Sequence, residues 1–144
     1  MQAATQPKIR RAGPEDARAI AAVLLESFSE FRALYTDGGF AATALGERLM
    51  LGTGAAVAKS ESVYIRGMAV LPKARGSGVG TRMLRQIEAW ANGEGYTRLF
   101  LSTTPFLVSA IRLYEEFGFL RTDEGLHDLF GTPLFTMEKT VSRY

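Results

Sequence analysis

The chain has 144 residues, 47% of them hydrophobic and 22% charged, with a formal net charge of +2. Those figures suit one soluble globular domain spanning residues 1–144, and so small a charge excess gives no ground for a nucleic-acid partner. With no cysteine and a single histidine, His127, a disulfide, a thiolate zinc site, a cysteine nucleophile and a multi-histidine metal centre within one chain are all excluded, and no metal is expected.

No apolar run reaches the length of a membrane span, and the stretch Met1-Gln2-Ala3-Ala4-Thr5-Gln6-Pro7 lacks the basic start and apolar centre of a signal peptide. No membrane partner is expected, and a cytoplasmic location is. Ile9-Arg10-Arg11 reads as a short first strand. Gly13-Pro14-Glu15-Asp16 reads as a helix entry, with a pre-set proline and acids that complement the dipole. Ala17, Ile20, Ala21, Leu24, Phe28 and Phe31 then recur at the spacing of one apolar helix face. Asp37-Gly38-Gly39 should break that helix, and a shorter one should follow over residues 40–48. Gly52-Thr53-Gly54 reads as a turn, Ala55-Ala56-Val57-Ala58 as a short strand, and Lys59-Ser60-Glu61-Ser62 as a second turn.

The next strand should run over residues 63–70, closed by Pro72. A helix over residues 78–92 should bury Val79, Met83, Ile87 and Trp90 and stop at Asn92-Gly93. Residues 98–102 read as another strand. Pro105 opens a last helix with Ala110, Ile111, Tyr114 and Phe117 as its buried stripe and Gly118 as terminator. Residues 119–121 and 134–138 read as the final strands. Helices cluster early and alternate with strands later, so the fold class is α/β, a mixed sheet with helices on both faces.

The stretch that carries chemistry is Arg75-Gly76-Ser77-Gly78-Val79-Gly80, set between the strand and the helix. Glycines let a backbone approach a diphosphate closely, and the unpaired N–H groups of a first helical turn point at it. Gly76, Ser77, Gly78, Val79, Gly80 and Thr81 are therefore candidate cradle residues, with Arg75 placed to add a charge-assisted bond. Without a ligand, the same string is only a tight strand-to-helix turn. A second string, Ala110-Ile111-Arg112-Leu113-Tyr114-Glu115-Glu116-Phe117-Gly118-Phe119, follows in the last helix.

Together the two strings resemble the acyl-CoA motif and the later helix-end motif of the GNAT superfamily of acyl-CoA-dependent N-acyltransferases. The resemblance implies a mixed, mostly antiparallel central sheet. It also implies acetyl-CoA as co-substrate, and a small-molecule amine or protein amino group as acceptor. Its carry-over places the pantetheine arm beside Met68, Ala69 and Val70, and makes Tyr114 the candidate proton donor to the departing thiolate. Tyr114 equally fits a core aromatic. The family has two full strands before the one at Val63. Here either a shortened strand at residues 48–51 serves, or one is missing, and uncovered apolar surface would leave room for a homodimer.

Where the family motif often begins with asparagine, Leu107 stands, and where some relatives carry a strand glutamate, Arg66 stands. Arg66 either faces the acceptor cleft, which would suit a carboxylate-bearing acceptor, or pairs with an acid such as Asp128. Ser102, Thr103 and Thr104 follow a strand end, where they either line a cleft or cap the strand. Glu26, Glu30, His127 and Asp128 are candidates to take the amine proton. The function expected is acetyl transfer. The alternative is a non-catalytic acyl-CoA-binding module of the same fold. A dinucleotide-binding fold fits less well, because the glycine spacing differs and no acid stands after a second parallel strand.

Overall fold

In the computed structural model, which describes residues 9–45, 56–59, 61–70, 72 and 75–141, Arg10 sets the start of the first helix. Its guanidinium forms a two-pronged ion pair with Asp16, at 2.8 and 2.7 Å, and the same carboxylate accepts the Gly13 amide at 2.8 Å. The Arg10 bond, with the Gly13 amide behind it, holds the Asp16 carboxyl down at a pKa of about 2. The expected strand at Ile9-Arg10-Arg11 does not form among the described residues, because Arg10 is committed to this cap instead of a ladder. A 3₁₀ turn, Pro14–Asp16, leads into α1, Ala17–Ser29.

Helix α1 ends sooner than its apolar spacing suggests. The Ser29 hydroxyl donates to the Leu25 carbonyl at 2.5 Å, and Phe31 lies in the turn beyond. Thr36 then caps α2, Asp37–Phe40, its hydroxyl oxygen accepting the Gly39 amide at 3.0 Å. The Asp37-Gly38-Gly39 string, expected to interrupt, thus begins a helix, since cap and first-turn acid stand in the right order. A π-helical turn, Ala41–Leu45, follows. The expected strand at 48–51 and the turn at 52–54 lie outside the described residues.

Strand β1, Ala56–Lys59, pairs antiparallel with β2, Ser62–Ile65. The expected strand over residues 63–70 stops at Ile65, because Gly67 takes a left-handed φ of 66° that leaves the extended region. After it come α3, Val79–Gly93; β3, Arg98–Thr103; α4, Val108–Phe117; β4, Leu120–Arg121; β5, His127–Leu129; and β6, Thr132–Thr140. The sheet order is β1-β2-β3-β6-β4, with β5 paired to β6. Only β2 and β3 run parallel, so the sheet is mixed and mostly antiparallel.

The pair β5–β6 is an unanticipated hairpin. Its two-residue turn, Phe130-Gly131, has φ of 49° and 87°, the primed geometry that matches strand twist. Thr36 bolts the turn to α2: its hydroxyl donates to the Phe130 carbonyl at 2.6 Å, and its amide donates to Thr132 Oγ1 at 3.1 Å.

Successive parallel crossovers in one direction put α3 and α4 on the same sheet face. There Leu84, Ile87, Ala91 and Tyr114 close over Val63, Ile65, Leu99, Leu101 and Met137 in one core. The buried face of α3 is Leu84, Ile87 and Ala91; of the expected Val79, Met83, Ile87 and Trp90, only Ile87 is fully buried. A second cluster joins Tyr35 and Phe40 to Phe28, Phe31 and Phe106. Helix α3 ends at Gly93, within the expected Asn92-Gly93 stop, and Gly95, with a left-handed φ of 84°, turns the chain away just beyond it, Gly95 N–H donating to the Asn92 carbonyl and Tyr96 N–H to that of Ala91. Helix α4 starts at Val108, three residues after Pro105, and ends at Gly118, where Phe119 N–H donates to the Tyr114 carbonyl at 2.9 Å.

Gly118 has a φ of 108°, and an added Cβ would lie 3.2 Å from Lys139 Cε. Gly118→Ala should lower the unfolding free energy by about 1–2 kcal/mol in urea titration. Gly93→Ala, in helical backbone with open space around it, should leave stability level or slightly raised.

Candidate functional site

Strands β2 and β3 pair from Ser62↔Arg98 to Tyr64↔Phe100 and then part. Beyond that point β3 stays on β6 as far as Thr103↔Phe135, while the chain after Ile65 swings away at Gly67. A cleft of about 920 Å³ opens between them. One wall is the segment of residues 66–70; the other is Leu101, Ser102, Thr103 and Thr104 of β3 and its end. Among the described residues, the backbone of residues 66–69 bonds to no other group, so this wall offers a free strand edge facing the cleft.

The glycine turn closes one end. Gly76, Gly78, Val79, Gly80 and Thr81 all line the cleft. Helix α3 makes its first backbone bond from Arg82 N–H to the Gly78 carbonyl at 3.0 Å. The amides of Gly78, Val79, Gly80 and Thr81 come before it and have no acceptor inside the helix. A Cβ added at Gly76 or Gly78 would meet nothing within 4 Å, so the turn faces open space. Gly80 has a different role: its Cβ would lie 2.7 Å from Leu113 Cδ2, so glycine is what lets α3 start against α4. Ser77 is exposed and is not part of the cleft wall.

The Arg75 side chain departs from the expected phosphate-facing role. Its guanidinium forms an ion pair with Glu30 and donates to the Ser27 carbonyl at 2.9 Å and the Val70 carbonyl at 3.2 Å. Three bonds to α1 and to the strand-end segment outweigh a free charge held toward solvent. Arg75 therefore fastens the end of α1 to the start of the glycine turn. That also removes Glu30 as a free base.

Tyr114 lies between the cleft and the core. It is 7% exposed, packs edge-on to Phe119 and lines the cleft. Burial, with the nearby Tyr35 hydroxyl adding to it, pushes the Tyr114 hydroxyl up to a pKa of about 12. Tyr35 is also raised, chiefly by burial, with Thr104 and Thr43 opposing. The Thr104 hydroxyl is fully shielded and, although near Tyr35, forms no well-directed hydrogen bond.

At the end away from the turn stand Arg66, Ser102 and His127. The Ser102 hydroxyl and the exposed His127 Nε2 are 3.4 Å apart. Asp128 accepts the Gly131 amide at 2.9 Å; of the two readings offered for Arg66, it faces the cleft, and no Arg66–Asp128 ion pair forms among the described residues. Glu26 is exposed and outside the cleft, and His127 flanks the cleft through Ser102 without lining it. The cleft thus gathers Arg66, Met68, Ala69, Val70, Arg75, Gly76, Gly78, Val79, Gly80, Thr81, Ser102, Thr103 and Tyr114. Phe28, Phe31 and Tyr35 also line it and escaped the sequence reading. The signal available was an aromatic density around Phe28, Phe31, Tyr35 and Phe40 beyond what one helix face requires. Among the described residues no cluster of acids and histidine could hold a metal ion, and no helix is long and apolar enough to cross a membrane.

The family model described as "Acetyltransferase (GNAT) family" matches residues 9–119. An uncharacterized N-acetyltransferase of Escherichia coli, YjgM, is 35% identical over 68 residues, 47% of this chain and 41% of that protein. The IAA acetyltransferase of Azospirillum brasilense is 36% identical over 72 residues, 49% of this chain and 47% of that protein. The chain thus spans less than half the length of these curated relatives. Among solved structures, a GCN5-related N-acetyltransferase from Rhodopseudomonas palustris superposes with a TM-score of 0.71 at 20% identity, over 97% of this chain and 99% of that one. An N-acetyltransferase from Thermoplasma acidophilum, solved in complex with coenzyme A, gives 0.73 at 18% identity, over 92% and 98%. At these identities the two structures establish a shared fold.

The raised Tyr114 hydroxyl sets a sign for alkaline unfolding. Unfolded, the phenol titrates near 10; folded, near 12. The stability it contributes is complete below about pH 10 and is lost as pH climbs toward 12, about 3 kcal/mol in all. Urea titrations across that range should show a smaller loss in Tyr114→Phe than in the parent chain.

Proposed function

The chain belongs to the Acetyltransferase (GNAT) family, and on that footing we propose that it moves an acetyl group from acetyl-CoA to a primary amine. The observation that carries the reading is the parted β2–β3 pair ending in a glycine turn whose amides stand ahead of the first helical bond. The residues fit such a co-substrate: open space at Gly76 and Gly78 for a diphosphate, a free backbone edge at residues 66–69, and a cleft large enough for an extended thiol arm.

In this reading the amides of Gly78, Val79, Gly80 and Thr81 hold the diphosphate, aided by the positive end of the α3 dipole. The backbone at Met68, Ala69 and Val70 pairs with the pantetheine amides as an added strand would. A backbone N–H of this segment polarises the thioester carbonyl and strengthens its bond as negative charge gathers on oxygen. The acceptor nitrogen enters as the neutral amine from the end bounded by Arg66, Ser102 and His127. Its lone pair forms the C–N bond, the C–S bond breaks with its electrons on sulfur, and the proton given up by nitrogen balances the one gained by sulfur. Tyr114 donates its hydroxyl proton to the departing thiolate and takes a proton back from water as the amine gives one up to it. A hydroxyl that titrates near 12 remains protonated across any working pH, so the donor is always charged with its proton. His127, linked to Ser102, stands where the amine proton leaves for solvent.

Two measurements test the proposal. Acetyl-CoA should bind the purified chain in calorimetry, and free thiol should be released when an amine panel is added. Tyr114→Phe should lower kcat by about a hundredfold while acetyl-CoA affinity stays within about twofold. Binding without thiol release for any amine would instead favour a non-catalytic acyl-CoA-binding module. An unchanged kcat in the variant would leave Tyr114 as a core aromatic alone.

A further inference from the structure

We infer that the acetyl acceptor carries a carboxylate, held by Arg66 at the end of the cleft remote from the glycine turn; this rests on the transferase reading above. Arg66 is half-buried and lines the cleft. Among the described residues it has no hydrogen bond and no ion pair, and of the arginines that line the cleft it is the half-buried one left so: Arg75 is paired with Glu30, and Arg112 is exposed on α4. Asp128, the acid it might have taken, is not paired with it and accepts the Gly131 amide instead. Of the carboxylates lining the cleft, Glu30 is held by Arg75, and Glu116 is exposed on α4.

A half-buried guanidinium that lines a cleft and has no acid beside it among the described residues is complementary to an anion entering that cleft. Arg66 lies two residues past Tyr64, whose register partner Phe100 lies two residues before Ser102 on β3, so both are just beyond the point where the strands part. Val70, at the other end of the same segment, lies beside Gly80, its Cγ2 3.8 Å from where a Cβ there would stand. The segment therefore runs from the glycine turn to Arg66, and the anion that meets Arg66 is at the acceptor end and not at the diphosphate. Around it the cleft offers the Tyr64 ring and the apolar Leu129 and Leu134. Guanidinium and carboxylate match in a two-pronged geometry, and the surrounding wall suits an apolar body between carboxylate and amine. An amino acid-like acceptor fits this chemistry.

The test compares paired acceptors that differ only at the anion: α- and ω-amino acids against their primary amides, assayed by thiol release at saturating acetyl-CoA. The acid of at least one pair should exceed its amide in kcat/KM by about tenfold or more. Arg66→Gln should lower the acid-to-amide ratio of kcat/KM by about tenfold, and Arg66→Lys should restore part of it. Turnover of the amides with no acid preference in any pair overturns the inference and leaves the transferase reading standing. Equal loss on acid and amide in Arg66→Gln, or a rise in the acetyl-CoA KM alone, assigns Arg66 to the other substrate and overturns it too. Acetyl-CoA binding with no turnover of any amine overturns the transferase reading and this inference with it. Should the Arg66→Gln chain fail to fold, as judged by circular dichroism, the parent chain's acid-to-amide ratios decide.

Discussion

Everything in the cleft depends on two neighbouring parallel strands ceasing to pair. A sheet gains stability by matching every backbone group, and β2 and β3 begin in that way. Gly67 then turns the chain out of the extended region, and residues 66–69 have no backbone partner among the described residues, beside a strand that continues. In a closed sheet those groups would be spent on the neighbour. Left open, they form a binding edge whose geometry is set in advance by the strand on each side. In the transferase reading, a pantetheine arm would take up these groups as a neighbouring strand does.

The same opening explains why the termini of several elements meet at one place. The start of α3, the stripe of α4 and the end of β3 all border the gap, because crossovers on one face return the chain to the sheet at its parted end. The N-terminal helices are brought in by Arg75. One guanidinium joins α1 through Glu30 and Ser27 to the strand end through Val70, at the first residue of the glycine turn. It bridges two parts of the chain whose apolar cores are otherwise distinct. Tyr35, from the aromatic cluster, and Tyr114, from the main core, approach across this junction, where Tyr35 adds to the burial that raises the Tyr114 hydroxyl.

Much of this was legible because it follows local rules. The glycine spacing, the helix after it and the Tyr114 stripe are short-range patterns, and the sheet's mixed character follows from the order of elements. What escaped reading is set by contacts between distant residues. Apolar residues from Val63 to Val70 suggest a continuous strand, and hydrophobicity carries no mark of the φ at Gly67. Phe130 in a left-handed turn contradicts its own preference and is held there by Thr36. Arg75 seemed to belong to the ligand because Glu30 is far away in sequence. On α3 the buried face is centred on Leu84 and Ala91, since Val79 is drawn to the cleft instead of the core. Arg66 was the reverse case: its oddity in an apolar run was visible at once, and only its lack of a partner needed coordinates.

The division into two apolar clusters has a mechanical result. A side-chain cluster built on Tyr35 and Phe40, with Phe106 edge-on to Tyr35 at 4.7 Å between ring centres, holds its helices with far less buried area than the main core. The main core fixes the sheet and the Gly67 gap, while α1 and α2 are tied to that body by separate contacts, the aromatic cluster and the Arg75 bonds to Glu30 and Ser27, so the wall and the roof of the cleft are fastened independently of one another.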